Sequence, residues 1–176
     1  MTTALPIAAS QLTFAYSEPE DRLTLLARDA AGGAVHVLLT RRLTERLING
    51  LAQLLEQSSP LAQTAPADLR SDIILMEHQD ALFGKGRAQA ESVEAAEAAT
   101  PVPLTHLVLT IDVEVRPRTF EIGMRAGETA LIRLSLDRHS VHRLVEALGQ
   151  RAEAAGWNLV LGAAWLEPDQ TQIVFN

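Results

Sequence analysis

Val35-His-Val-Leu-Leu-Thr-Arg-Arg-Leu-Thr-Glu-Arg-Leu-Ile-Asn-Gly-Leu51 decides the fold, because a variant of it returns as Ile132-Arg-Leu-Ser-Leu-Asp-Arg-His-Ser-Val-His-Arg-Leu-Val-Glu-Ala-Leu148. Each stretch opens with alternating apolar residues, the period of a half-buried strand. It continues with leucines three and four apart, the period of an amphipathic helix. Thr40 and Asp137 stand where the period changes, and each can cap the helix that follows.

Sliding the chain over itself by 97 positions (109 − 12) aligns Leu12–Glu56 with Leu109–Glu153 without a gap. Identical pairs include Leu12/Leu109, Thr13/Thr110, Arg28/Arg125, Arg41/Arg138 and Arg46/Arg143. The apolar parity coincides as well, and a slip of one residue would turn every strand inside out. In the first copy Leu12, Phe14 and Tyr16 face one way, Glu18-Pro-Glu-Asp21 turns the chain, and Leu23, Leu25 and Ala27 precede a loop at Asp29–Gly33. Val35, Val37 and Leu39 then lead into a helix over Arg41–Gln57. The second copy repeats this with Leu109, Ile111 and Val113, then Phe120, Ile122 and Met124, then Ile132, Leu134 and Leu136.

The pattern predicts an α+β fold: an internal duplication of a β-β-β-α unit, with antiparallel sheets and helices packed on one side. An inserted helix is expected from Pro66 to Phe83 and a closing hairpin from Leu159–Leu166 and Gln170–Phe175. The segments run 1–57, 58–103 and 104–176 within one compact pseudo-symmetric domain. Between Arg87 and Thr100 the chain is almost only Ala, Glu, Gln and Ser, too poor in large apolar groups to offset its ordering entropy, so it is expected to be mobile.

Composition narrows the function. The chain has 176 residues, 47% hydrophobic and 21% charged, in the range of globular proteins. It has no cysteine, which excludes disulfides and thiolate chemistry. A net charge of −7 disfavours attraction to phosphate backbones and anionic lipid. The sequence holds no 18-residue apolar run, and Met1–Ser10 lacks the basic n-region of a secretory signal, which points to the cytoplasm and away from a membrane.

The runs Glu20-Asp-Arg-Leu-Thr-Leu-Leu-Ala-Arg28, Leu39-Thr-Arg-Arg42, Met76-Glu-His-Gln79 and Leu136-Asp-Arg138 resemble a family of uncharacterised bacterial proteins. The resemblance brings no assigned activity and transfers no catalytic residue, and the linker after Leu82 departs from its pattern. Two copies of strands followed by a helix are also similar, in topology alone, to the PUR and Whirly single-strand binders. Those folds use aromatic platforms and a basic channel. The outward positions here, among them Thr13, Leu26, His36, Asp112, Glu114 and Arg133, hold no aromatic ring.

Binding candidates are Arg41, Arg42 and Arg46 with their counterparts Arg138, His139 and Arg143. They place positive charge at two helix starts, where guanidinium groups could meet an anion or pair with Glu45 and Glu146. His139 and His142, three apart, are weak metal candidates with Asp112 or Glu114 as a third ligand. Glu77-His78-Gln79-Asp80 could do acid–base work but reads equally well as a polar helix face. No catalytic residue and no cofactor is expected. The favoured reading is a non-catalytic protein-binding or assembly module, with a protein partner or a homodimer, using a sheet edge or the inserted helix. The alternatives are single-stranded nucleic-acid binding and a metal-dependent enzyme using the His pair.

Overall fold

Alternation of apolar side chains produces seven strands, and leucine spacing produces the helices laid against them. The computed structural model describes residues 5–84 and 104–166. Strands β1 (Ile7–Ser17), β2 (Arg22–Asp29) and β3 (Ala34–Thr40) run into helix α1 (Arg41–Ser58). Helix α2 (Pro60–Thr64), a 3₁₀ turn (Ala67–Leu69) and helix α3 (Arg70–Phe83) follow. Strands β4 (Thr105–Leu107), β5 (Thr110–Val115), β6 (Phe120–Ala126) and β7 (Thr129–Leu136) lead into helix α4 (Arg138–Ala154).

The capping residues act as their chemistry requires. Thr40 Oγ1 accepts from the Leu43 amide at 3.2 Å and Asp137 Oδ1 from the Ser140 amide at 2.7 Å. Gly84 closes α3, its amide donating to the Asp80 carbonyl at 2.7 Å. The expected C-terminal hairpin does not form in its first half: residues 157–163 carry no strand, and Ala164–Leu166 is a 3₁₀ turn. Hydrogen bonds to α1 side chains hold this stretch, so a ladder partner is not needed. The hairpin's second half and the Ala/Glu-rich linker lie outside the described residues.

The sheet is mixed, which corrects the expectation of antiparallel pairing alone. Its order is β4-β3-β2-β1-β7-β6-β5. The pairs β1–β2, β2–β3, β5–β6 and β6–β7 are antiparallel. Two short parallel contacts join them: Ile7 and Ala8 of β1 against Ile132 and Arg133 of β7, and β4 against His36–Leu38 of β3. Strands β4 and β5 lie at opposite ends of this order, yet only Val108 and Leu109 separate them. Three Cα steps reach at most about 11 Å, so the sheet curls until its ends meet. The chain changes partner within those two residues. The Val108 amide donates to the Leu38 carbonyl at 3.0 Å and the Leu109 amide to the Arg125 carbonyl at 2.8 Å.

Register corrects the gapless alignment. Leu23 pairs with Leu39 and Phe120 with Leu136, so second and third strands correspond at a separation of 97 (120 − 23, 136 − 39). Leu12 opposes Ala27, whereas Ile111 opposes Met124, the residue matching Ala27. The first strands therefore correspond at 99 (111 − 12), and Leu12 matches Ile111 rather than Leu109. From Ala8 to Leu12 there are four steps; from Thr105, which matches Ala8, to Ile111 there are six. The second run spends two more residues at the crossing and two fewer at its first turn.

One core serves all of this. Leu23, Leu25, Val37, Leu39, Ile122, Met124, Leu131 and Ile132 join Ile48, Leu51 and Leu55 of α1 and Val141, Val145 and Leu148 of α4 in a single buried cluster. Ile122, 1% exposed, points into it. A Cβ at Gly123 would meet no atom within 4 Å on the opposite face. Ile122→Ala should therefore lower unfolding free energy by about 2–5 kcal/mol. Gly123→Ala should leave it unchanged or raise it by up to about 1 kcal/mol. Urea denaturation of both variants checks this, and a larger loss at Gly123 would reverse the two faces.

Candidate functional site

Helix α3 crosses α4 and draws its polar side chains into a buried network. Arg138 donates from Nε and Nη2 to Glu77 Oε2 at 2.9 and 2.6 Å, from Nη1 to Ser58 Oγ at 2.9 Å, and from Nη2 to the Leu55 carbonyl at 2.6 Å. Ser59 Oγ donates to Glu77 Oε1 at 2.6 Å while accepting from the Ala62 amide. One guanidinium thus fastens the end of α1, α3 and the start of α4. Beside it His78 Nδ1 lies 3.2 Å from His142 Nδ1, and His78 Nε2 lies 3.2 Å from Glu146 Oε2. Trp165 closes the group, its ring centroid 5.1 and 5.6 Å from the two imidazoles and its Nε1 donating to Glu56.

His142 is 1% exposed and His78 6%. Burial, followed by the nearby His78 and Arg138 charges, pushes the His142 imidazole from its ordinary 6.5 down to about 3. Its Nε2 has no hydrogen-bond partner and sits 3.7 Å from Glu77 Oε2. The bond from His78 holds the Glu146 carboxyl below its usual range. Rings this enclosed are out of reach of a substrate, so the pair acts as a fastening between helices. The reading of Glu77–Asp80 as acid–base groups or a polar helix face missed the pairing of His78 with His142. The available signal was Glu77-His78 on a helix with apolar neighbours Ile74 and Ala81, a polar pair on an inward face.

The six predicted binding residues separate into two groups. On α4, Arg138 is engaged as described, His139 Nε2 meets Asp80 Oδ2 at 3.1 Å, and Arg143 Nε donates to the Ala81 carbonyl at 2.9 Å. These three all engage α3. His142 faces His78 and His139 faces Asp80, so the two histidines do not converge. Among the described residues no group of three or more His, Asp or Glu could hold a metal ion. On α1, Arg41 donates to the Asn158 carbonyl at 3.0 Å, and Glu45 accepts from the Val160 amide. Arg42 and Arg46 remain exposed, with no partner among the described residues.

Those two arginines stand at the mouth of an open trough. After Val108 the chain leaves β3, and a wedge opens between β5 and α1. One hollow of about 500 Å³ is lined by Leu43, Leu47, Gly50, Leu54, Ile111 and Val113. A second, of about 320 Å³, is lined by Thr40, Arg42, Leu43, Arg46, Val108 and Leu109. They share Leu43, Arg46 and Leu109, so they form one trough along α1. The edge of β5 borders it. Arg116 donates to the Thr119 carbonyl, and alternation along an antiparallel pair then turns the amides of Asp112 and Glu114 toward β6. Those of Ile111, Val113 and Val115 face the edge that pairs with no strand among the described residues.

The matching wedge between β1 and α4 is filled. Phe14 and Tyr16 occupy the register positions of Val113 and Val115. Trp157, 6% exposed, packs edge-on against Tyr16 at 6.0 Å between centroids. Trp157 Nε1 and Tyr16 Oη both donate to Asp21 Oδ1, at 2.7 and 2.8 Å, and these bonds hold the Asp21 carboxyl below its usual range.

Comparison with protein-family models, curated proteins and solved structures returns no significant match to the chain. Among the described residues no helix is long and apolar enough to cross a membrane.

The His142 environment predicts a pH dependence. Above pH 6.5 the imidazole is neutral whether the chain is folded or not. Below it the unfolded chain takes up a proton that the folded chain refuses until about pH 3. Stability therefore falls as pH drops, by about 1.4 kcal/mol per unit from this group. Denaturation midpoints measured from pH 7 to 5 should show a loss of roughly 2 kcal/mol that His142→Leu removes. An unchanged slope in that variant would place the proton uptake elsewhere.

Proposed function

We propose that the chain is a protein-binding module that takes an extended segment of a partner into the trough between the β5 edge and α1. The observation that carries this is the unfilled wedge, whose counterpart in the other half is packed with Phe14, Tyr16 and Trp157. An added strand would bond to the amides and carbonyls of Ile111 and Val113 and lay alternate side chains on Leu43, Leu47 and Leu54. Main-chain bonds supply affinity in such strand addition, and pockets for alternate side chains supply selectivity.

The asymmetry is read as the outcome of a duplication: one copied β-β-β-α unit kept its wedge for binding while the other filled it. The partner is a different protein rather than a second copy. Antiparallel pairing of two β5 edges centred on Val113 would set Asp112 of one copy opposite Glu114 of the other, and like charges directly opposed are destabilising.

Gly50 supports the reading and provides the test. It lies inside α1, where glycine is about 1 kcal/mol less favourable than alanine. A Cβ there would meet nothing within 4 Å, because it would enter the trough. Gly50→Phe should keep the fold by circular dichroism and block the site. Peptides selected from a displayed random library on the full chain should lose affinity for this variant by about tenfold or more. They should also slow hydrogen exchange at the Ile111 and Val113 amides. Selected peptides that bind both proteins equally and leave those amides unprotected would sink the proposal.

A further inference from the structure

Resting on the docking reading above, we infer that the segment taken by the trough is acidic at the end lying beside Leu109, where Arg42 and Arg46 receive its carboxylates. The two guanidinium groups are one turn apart on the face of α1 that borders the hollow shared by Leu43, Val108 and Leu109. They stand in the first two turns of a helix whose first turn contains no acid. Positive charge is unfavourable at that end, since the helix dipole already makes it positive. Glu45, the nearest carboxylate in the chain, is turned to the Val160 amide.

The chain shows how such a set is satisfied. At the separation of 97, His139 and Arg143 of α4 occupy the places of Arg42 and Arg46, and α3 lies across both of them. Asp80 meets His139, and the Ala81 carbonyl accepts from Arg143. A crossing element that supplies a carboxylate and a carbonyl is thus the partner this face takes on α4. On α1 the same face has no such element among the described residues, and an arginine replaces the histidine, which strengthens the demand for a carboxylate. Leu109, 60% exposed at the same mouth, offers the apolar contact beside the charge. Antiparallel addition to β5 would bring the carboxyl-terminal end of the segment to Leu109. Acidic side chains near that end, or a free terminal carboxylate, would then meet both arginines.

Two labelled peptides test this on the full chain, each alternating valine with serine and amidated at its end. One finishes with two aspartates and the other with two lysines. Fluorescence anisotropy at low salt should show the acidic peptide binding about tenfold more tightly. The preference should shrink as salt shortens the screening length from about 10 Å toward 3 Å. Arg42→Glu combined with Arg46→Glu should reverse the order, and Gly50→Phe should weaken both peptides. Equal affinities for the two peptides, with Gly50→Phe still weakening both, would overturn the acidic preference and leave strand docking standing. Absence of binding by either peptide would remove both.

Discussion

Every feature of the molecule depends on two short parallel contacts, Ile7–Ala8 against Ile132–Arg133 and β4 against β3. Three antiparallel strands with a helix would leave an open edge on each side and half a core. Joining two such runs head to tail lets α1 and α4 share one buried cluster with the seven-stranded sheet. The contacts are brief because the first strand of each run must leave its parallel neighbour to pair with its own second strand. That departure opens a wedge beside each helix. The trough is therefore a consequence of how the sheet brings its two ends together, and the sequence determines only what happens to each wedge.

The polar network around Arg138 serves a related need. Helix α4 presents Arg138, His142 and Glu146 toward α3, groups that are costly to bury without partners. Glu77 and His78, with Ser58 and Ser59 from the end of α1, satisfy nearly all of them. A fit this specific fixes the register of α3 on α4 more sharply than apolar packing alone. The exception is His142 Nε2, which remains without a bond and makes the contact sensitive to protons. Fixing α3 also keeps it on α4, away from the face of α1 that carries Arg42 and Arg46.

The elements were legible in the sequence because both periods were clean. Leu23, Leu25 and Ala27 hold one face with only Leu26 apolar on the other, and Thr40 and Asp137 mark the helix starts. Register was not legible. The shift between first strands is two residues, an even number, so it leaves every side chain on the expected face while moving Leu12 from Leu109 to Ile111. Alternation cannot detect such a change. The parallel contacts were hidden for a different reason: each spans two or three residues, and nothing local distinguishes β4 from the start of β5. Of the proposed site, Arg42 and Arg46 were singled out by their charge. What separates them from Arg138, His139 and Arg143 is the position of α3, a long-range fact that no window of sequence contains.

The trough gathers residues that local rules disfavour. Gly50 weakens the middle of α1. Arg42 and Arg46 oppose the dipole at its start. Val113 and Val115 stand where the other half has Phe14 and Tyr16, giving up the apolar burial that two rings and Trp157 supply there. Any one of these would be an ordinary compromise. Their convergence on a single surface is different, because conflicts between local preference and global fold concentrate where a protein has a task beyond folding. The β1 side of the molecule shows that this fold can resolve all such conflicts internally. On the β5 side they persist together, and an arriving chain with apolar side chains, backbone partners and a carboxylate would relieve them together.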